Sequence, residues 1–259
     1  MAADTRLKAI QKRLGLKADG LLGPVTLSKI EALLDEKLGV QQVEVNYNLL
    51  ASEKSLQQIV QFEISSEAYY RKYLSSPTWP GADSGVTIGI GYDLGYHTKA
   101  QVSSDWRGKV SDEVLENLLQ VVGLKKTAAQ GALASVNHID VPLQAAKQVY
   151  YFCTLPAYAK KTRGVYSGIE ALPADAQGAL LSLVFNRGTK MSGSSRREMQ
   201  AIQPLVQQGD LPGIAEQIRN MKRLWDSNRL RGLHIRRDKE ADMVEHARID
   251  YADGELIRV

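Results

Sequence analysis

Apolar positions recur at helical spacing from the start of the chain. Leu7, Ile10 and Leu14 share one face with Gln11, and Gly15 closes the segment. A turn-rich stretch, Ala18-Asp19-Gly20-Leu21-Leu22-Gly23-Pro24, leads to a second helix that Pro24 opens and that carries Leu27, Ile30, Leu33 and Leu34. Together they predict a small all-α module over residues 1–39. Residues 40–50 are polar and β-branched and are expected to be a linker. Beyond them the helical period returns, with Ser52 as N-cap of a helix running to Glu63. Further helices are expected at 111–119, 124–134, 142–153, 197–207, 211–225 and 236–247. Residues 174–185 are strongly apolar, which predicts a central, buried helix, stopped by Gly188. Residues 75–85 are a loop by composition. One stretch follows a different rule. Val86, Ile88, Ile90 and Tyr92 alternate with Thr87, Gly89, Gly91 and Asp93, the period of a strand. The fold class expected is α+β and predominantly α, with a small β-hairpin or sheet inside one domain over 51–259.

Length and charge add bounds. A chain of 259 residues holds a large domain and a small module. Its 33 basic against 29 acidic residues give +4, which permits an anionic partner without choosing one. No basic motif interleaved with aromatics is present, so nucleic acid is not an expected partner. The single cysteine, Cys153, rules out an intrachain disulfide framework and sits among apolar neighbours as an inert thiol does. His97, His138, His234 and His246 have no metal-ligand spacing, and no cofactor or metal is expected. No apolar run has the length of a signal peptide or a membrane span, so synthesis in the cytoplasm is expected, with help needed to act beyond it. Residues 219–239 carry eight Lys or Arg against Asp226 and Asp238, a net +6 (8 − 2). This run reads as a solvated face or as a grip on an anionic polymer.

Candidate chemistry begins with Glu63. It lies seven, four and three residues past Leu56, Ile59 and Val60, on their apolar face. Burial of a carboxyl disfavours its charged form and so favours the protonated one, the state a general acid needs. A structural carboxyl satisfied by an arginine or by backbone is the alternative. Glu67, one turn on, is a second candidate acid or an ion-paired neighbour. The strand's other face presents Thr87 and Asp93 with only Gly89 and Gly91 between them, which suits a cleft for an extended ligand. A carboxyl on an apolar face, a second carboxylate and a glycine-lined strand are the parts of a glycoside hydrolase.

Two sets of motifs carry resemblances. Ile10-Gln11-x-x-Leu14-Gly15-Leu16 followed by Asp19-Gly20-x-x-Gly23-Pro24-x-Thr26 resembles the small helical peptidoglycan-binding module of wall hydrolases. That resemblance implies a substrate-binding role for Asp19, Gly20, Gly23 and Thr26. Phe62-Glu63, Glu67-Ala68-Tyr69-Tyr70 and Thr87-Ile88-Gly89-Ile90-Gly91 resemble the bacteriophage-type lysozymes. Leu183-Val184-Phe185-Asn186 and Gly232-Leu233-x-x-Arg236-Arg237-x-x-Glu240 fit the same family more weakly. The resemblance implies a lysozyme-like fold, Glu63 as the acid that protonates the glycosidic oxygen, and Thr87 as the residue that positions water. Gly81 stands where the commonest phage pattern has its aspartate, and Tyr92 where a histidine is frequent. Gly-Tyr-Asp-Leu-Gly instead resembles lysozyme-like bacteriocins of the pesticin type and large-phage endolysins, and carries the second carboxylate onto Asp93. A straight strand of six residues spans roughly 20 Å. The assignment therefore needs a bend at Gly89 or Gly91, and Asp83, four residues before Thr87, remains the rival. Trp79, Tyr69, Tyr70 and Tyr92 are faces for stacking on sugar or for core packing, with Tyr92 assigned to substrate.

The expected activity is that of a monomeric muramidase that cuts the β-1,4 bond between N-acetylmuramic acid and N-acetylglucosamine in peptidoglycan, with inversion, as a phage endolysin does. A lytic transglycosylase and an interbacterial toxin with an immunity protein are the alternatives.

Overall fold

The computed structural model describes residues 2–38, 47–252 and 254–259. It is 64% helix and 5% strand, so the chain is predominantly α with small sheets. Its contacts divide it into two units, residues 60–155 and residues 1–59 with 156–259. These boundaries fall at 59/60 and 155/156, away from the expected ones at 39 and 51.

The discontinuous unit begins with α1 (Ala2–Arg13) and α2 (Pro24–Leu38), with Pro24 at the first helical position as its missing N–H allows. Residues 40–46 of the expected linker lie outside the described residues. Its end is folded. Leu49 is fully buried, and β1 (Leu50–Ser52) pairs antiparallel with β4 (Leu256–Arg258) at the far end of the chain. The linker expectation is corrected there, because the partner strand lies some two hundred positions away and leaves no local mark. Ser52 caps α3 (Glu53–Ile64) as expected, its Oγ accepting the Ser55 N–H at 3.2 Å. Helix α10 (Ala174–Arg187) is buried at every position from Ala174 to Val184 and packs on β1 and on α13 (Arg231–Glu245). The unit also holds α9 (Leu155–Val165), α11 (Arg197–Gln208) and α12 (Leu211–Asn220), with α11 packed on α12 and α12 on α13. A Cβ on Gly178 would collide with Ser55, so glycine there allows close approach to the start of α3.

The unit of residues 60–155 holds the last turn of α3 and a short α4 (Glu67–Tyr69) that widens into a π-helical turn at Tyr70–Leu74. Strands β2 (Thr87–Ile88) and β3 (Tyr92–Asp93) follow. Four helices complete it: α5 (Lys99–Trp106), α6 (Asp112–Gln120), α7 (Lys126–Ala132) and α8 (Leu143–Val149). Its core is Ile88, Tyr92, Leu94, Trp106, Leu118 and Val149, all buried.

Candidate functional site

Glu63, Thr87 and Asp93 all lie in the unit of residues 60–155. The chain does not run straight from Thr87 to Asp93. It reverses over Gly89, Ile90 and Gly91, and the two glycines take φ of +58° and +69°, which a side chain would strain. Thr87 then faces Asp93 directly across the β2–β3 ladder. Thr87 exchanges both backbone hydrogen bonds with Thr78, at 2.8 and 2.9 Å, on its other side. The Thr87–Asp93 pair is therefore a narrow, non-hydrogen-bonded one, with Cβ atoms roughly 4.5–5.5 Å apart on one face. The separation that a straight strand imposes is gone. The turn keeps the parity of the pattern, so Val86, Ile88, Ile90 and Tyr92 are buried on either side of it.

The Asp93 carboxylate is held by backbone. Its Oδ1 accepts the N–H of Gly95 at 2.8 Å and of Gly85 at 3.0 Å, and Oδ2 shares the Gly85 N–H at 3.1 Å. Gly85 and Gly95 meet backbone to backbone, and a Cβ on Gly85 would collide with the Gly95 backbone and with Asp93 Oδ1. Oδ1 is filled, while Oδ2 keeps a lone pair for a water or a hydroxyl. Sequence reasoning marked Asp93 for chemistry and passed over Gly85 and Gly95, whose signal was a glycine two residues after an aspartate that caps a turn.

Glu63 occupies the last turn of α3, half-buried, beside the buried Ile59, Val60 and Ile64. An acidic side chain at this negative end of the helix dipole does nothing for helix stability. Ser65, at φ +55°, stops the helix directly after it. Glu67 is ion-paired with Lys147 at 2.9 Å, the neighbour role. Asp83 is exposed and reaches Lys126 at 3.2 Å, a surface pair of small energy.

Tyr92 is 3% exposed. Its ring stacks on His97 at 4.1 Å and meets the Trp106 edge-on at 5.5 Å, while its hydroxyl donates to Asp105 Oδ2 at 2.7 Å. The substrate role expected for Tyr92 is corrected to a core role, since both ring and hydroxyl are taken. Burial first, and then Asp105, push the Tyr92 hydroxyl far above its ordinary range. Burial also pushes the Cys153 thiol up to about 11, with Asp105 adding to it. Asp105 was not marked from sequence, because nothing local signals its reach to Tyr92.

In the N-terminal module the motif residues bind one another. Gln11, 1% exposed, donates from Nε2 to Asp19 Oδ1 at 2.7 Å, to the Leu21 carbonyl at 2.8 Å and to Thr26 Oγ1 at 3.1 Å. Its Oε1 accepts the Gly20 N–H at 2.8 Å. Gly23 and Thr26 are buried, so a ligand meets neither, and this part of the expected binding set folds the loop. The basic run at 219–239 is similarly engaged. Arg219 pairs with Asp242 and Glu245, Lys222 with Asp238, Arg223 with Glu198, and Arg236 and Arg237 with Glu240. Much of the run is therefore neutralised within the fold.

Residues 58–167 match a family described as a domain of unknown function (DUF8812). The match covers less than half of the chain, spans the unit of residues 60–155 and includes Glu63, Thr87 and Asp93. A search of curated proteins gives no match.

Proposed function

We propose that the chain is a peptidoglycan muramidase with a lysozyme-like catalytic unit, in which Glu63 protonates the glycosidic oxygen and Thr87 with Asp93 holds the attacking water. The observation that carries this reading is the β2–β3 register, which sets a hydroxyl beside a carboxylate that still has an open lone pair. Water delivered by that pair to the sugar face opposite the acid inverts the anomeric centre. The resemblance of the N-terminal helices to wall-binding modules supports peptidoglycan as the polymer. Their exposed Ile10, Leu22 and Leu34 are apolar surface for such contact.

A second reading draws on the hydrogen bonds that two backbone amides give to Asp93. A carboxylate given to the backbone need not direct water, and a lytic transglycosylase requires only the acid. Mass spectrometry of fragments released from purified sacculi separates the two. Reducing-end muropeptides from wild type and none from Glu63→Gln are expected of the muramidase. Fragments ending in 1,6-anhydro rings indicate the transglycosylase, and undiminished release by Glu63→Gln removes Glu63 from the chemistry.

A further inference from the structure

Immediately after Glu63 the chain builds a surface that the acid and the water-holding pair do not use. Ser65 breaks α3, and Ser66 caps the next helix by accepting the Tyr69 N–H at 3.1 Å. That helix widens into a π turn at Tyr70–Leu74, a geometry often found at functional positions. Two bonds fix it from below. Tyr70, fully buried, donates its hydroxyl to the Val141 carbonyl at 3.0 Å, and Glu67 pairs with Lys147. Above this base Tyr69 and Tyr73 stand 45% and 52% exposed, their ring centroids 4.7 Å apart and the planes 46° to each other. Lys72 Nζ lies 5.0 Å from the Tyr73 ring, and Arg71 is exposed beside it. Tyr96, an exposed tyrosine that follows the hairpin, differs. Lys125 covers its ring at 3.8 Å, and its hydroxyl is bound to the Asp83 carbonyl.

We propose that Tyr69 and Tyr73 form a glycan-binding subsite, stacking on the apolar faces of N-acetyl sugar rings, while Arg71 and Lys72 meet the carboxylates that peptidoglycan carries on muramic acid and its peptides. The proposal rests on the muramidase reading and names where the strand is held. Two tilted rings offer adjoining apolar surfaces, which suit consecutive pyranose rings better than a single flat ligand. Two cations on the same turn complement a polymer that bears carboxylates. Six residues separate Tyr69 from Glu63, at most about 20 Å of extended chain, so one strand reaches both.

The test compares wild type with the Tyr69→Ala/Tyr73→Ala double variant on soluble glycan strands, with and without peptides. Because both side chains face solvent, the thermal midpoint is expected to hold. KM is expected to rise roughly tenfold at unchanged kcat, the change that about 1.4 kcal/mol of lost ring contact produces. Tyr→Phe at both positions restores KM, since the ring does the binding. Lys72→Ala raises KM for peptide-bearing strands only. Titration of the uncut strand onto Glu63→Gln protein, with and without the two alanines, gives the same comparison free of turnover. A wild type that cleaves with KM unmoved by the double variant overturns the subsite and leaves the muramidase standing. Binding through the tyrosines without cleavage keeps the subsite and removes the muramidase. A wild type that neither binds nor cleaves glycan ends both.

Discussion

Asp93 illustrates how one residue serves structure and chemistry together. Its carboxylate accepts both amides of a glycine pair that no other residue type can bring so close, and it faces Thr87 across a narrow strand pair. The two roles predict different mutant behaviour. Asp93→Ala leaves the amides of Gly85 and Gly95 without their acceptor and is expected to cost about 3 kcal/mol, read as a lower urea midpoint. Thr87→Val keeps the shape of a half-buried side chain and removes only the hydroxyl. It should unfold within about 1 kcal/mol of wild type yet release far less reducing sugar from sacculi. Equal stability losses in the two variants would instead give the hairpin a purely structural role. Asp93 was visible in the sequence through its place on the strand's polar face. Its glycine partners were not, because a hydrogen bond to residue 85 is a fact of folding back and not of spacing.

At the scale of elements, α10 and α13 enclose a charged cluster. Glu240 is fully buried, and its Oε1 accepts from Arg236 at 3.1 Å, from Arg237 at 2.9 Å and from Ser182 at 2.5 Å. Burial pulls the Arg237 guanidinium below its ordinary range, and Glu240 opposes that shift. Two guanidiniums in the interior share this one carboxylate as counter-charge, with Ser182 and Asn186 as further, uncharged acceptors. Glu240→Gln is therefore expected to lose about 3–5 kcal/mol, the cost of leaving a buried charge without its partner. Differential scanning calorimetry reads the loss, and a midpoint within a degree of wild type would show that the arginines find other acceptors. Charge counting had marked the surrounding run as a face toward solvent or toward an anionic polymer. It could not see that the acids at 198, 240, 242 and 245, outside the run, come to meet it.

At the scale of the whole molecule, the last strand joins distant parts of one unit. β4 pairs with β1, packs on α2 and carries Arg258, which reaches Glu31 at 3.5 Å. Ile257 and Val259 are buried, and the Val259 carbonyl accepts the N–H groups of Asn48 and Leu49. Deleting residues 256–259 removes two buried aliphatic side chains, at about 1.5–3 kcal/mol each, and leaves β1 unpaired. The expected outcome is a fall of at least about 3 kcal/mol in denaturant unfolding, together with faster amide exchange at Leu49 and Ala51, whose N–H groups face the last strand. Full protection of those amides in the truncated chain would show that β1 holds without its partner. Among the described residues no helix is long and apolar enough to cross a membrane.

Alternation from Val86 to Tyr92, the stripe on α3, the cap at Ser52 and the stop at Gly188 all express preferences set within one or two turns of chain. They were therefore legible in the amino-acid order alone. So was the candidate acid, because a carboxyl on an apolar stripe stands out against its neighbours. Folding decided the rest: the reversal that turns one strand into a hairpin, the glycine pair that grips Asp93, the burial of Tyr92 against His97 and Trp106, and the meeting of residues 50–52 with 256–258. Each of these depends on which remote groups come within contact range. Short-range periodicity carries no information about that, since the same local pattern is compatible with many partners and only the packed chain selects one.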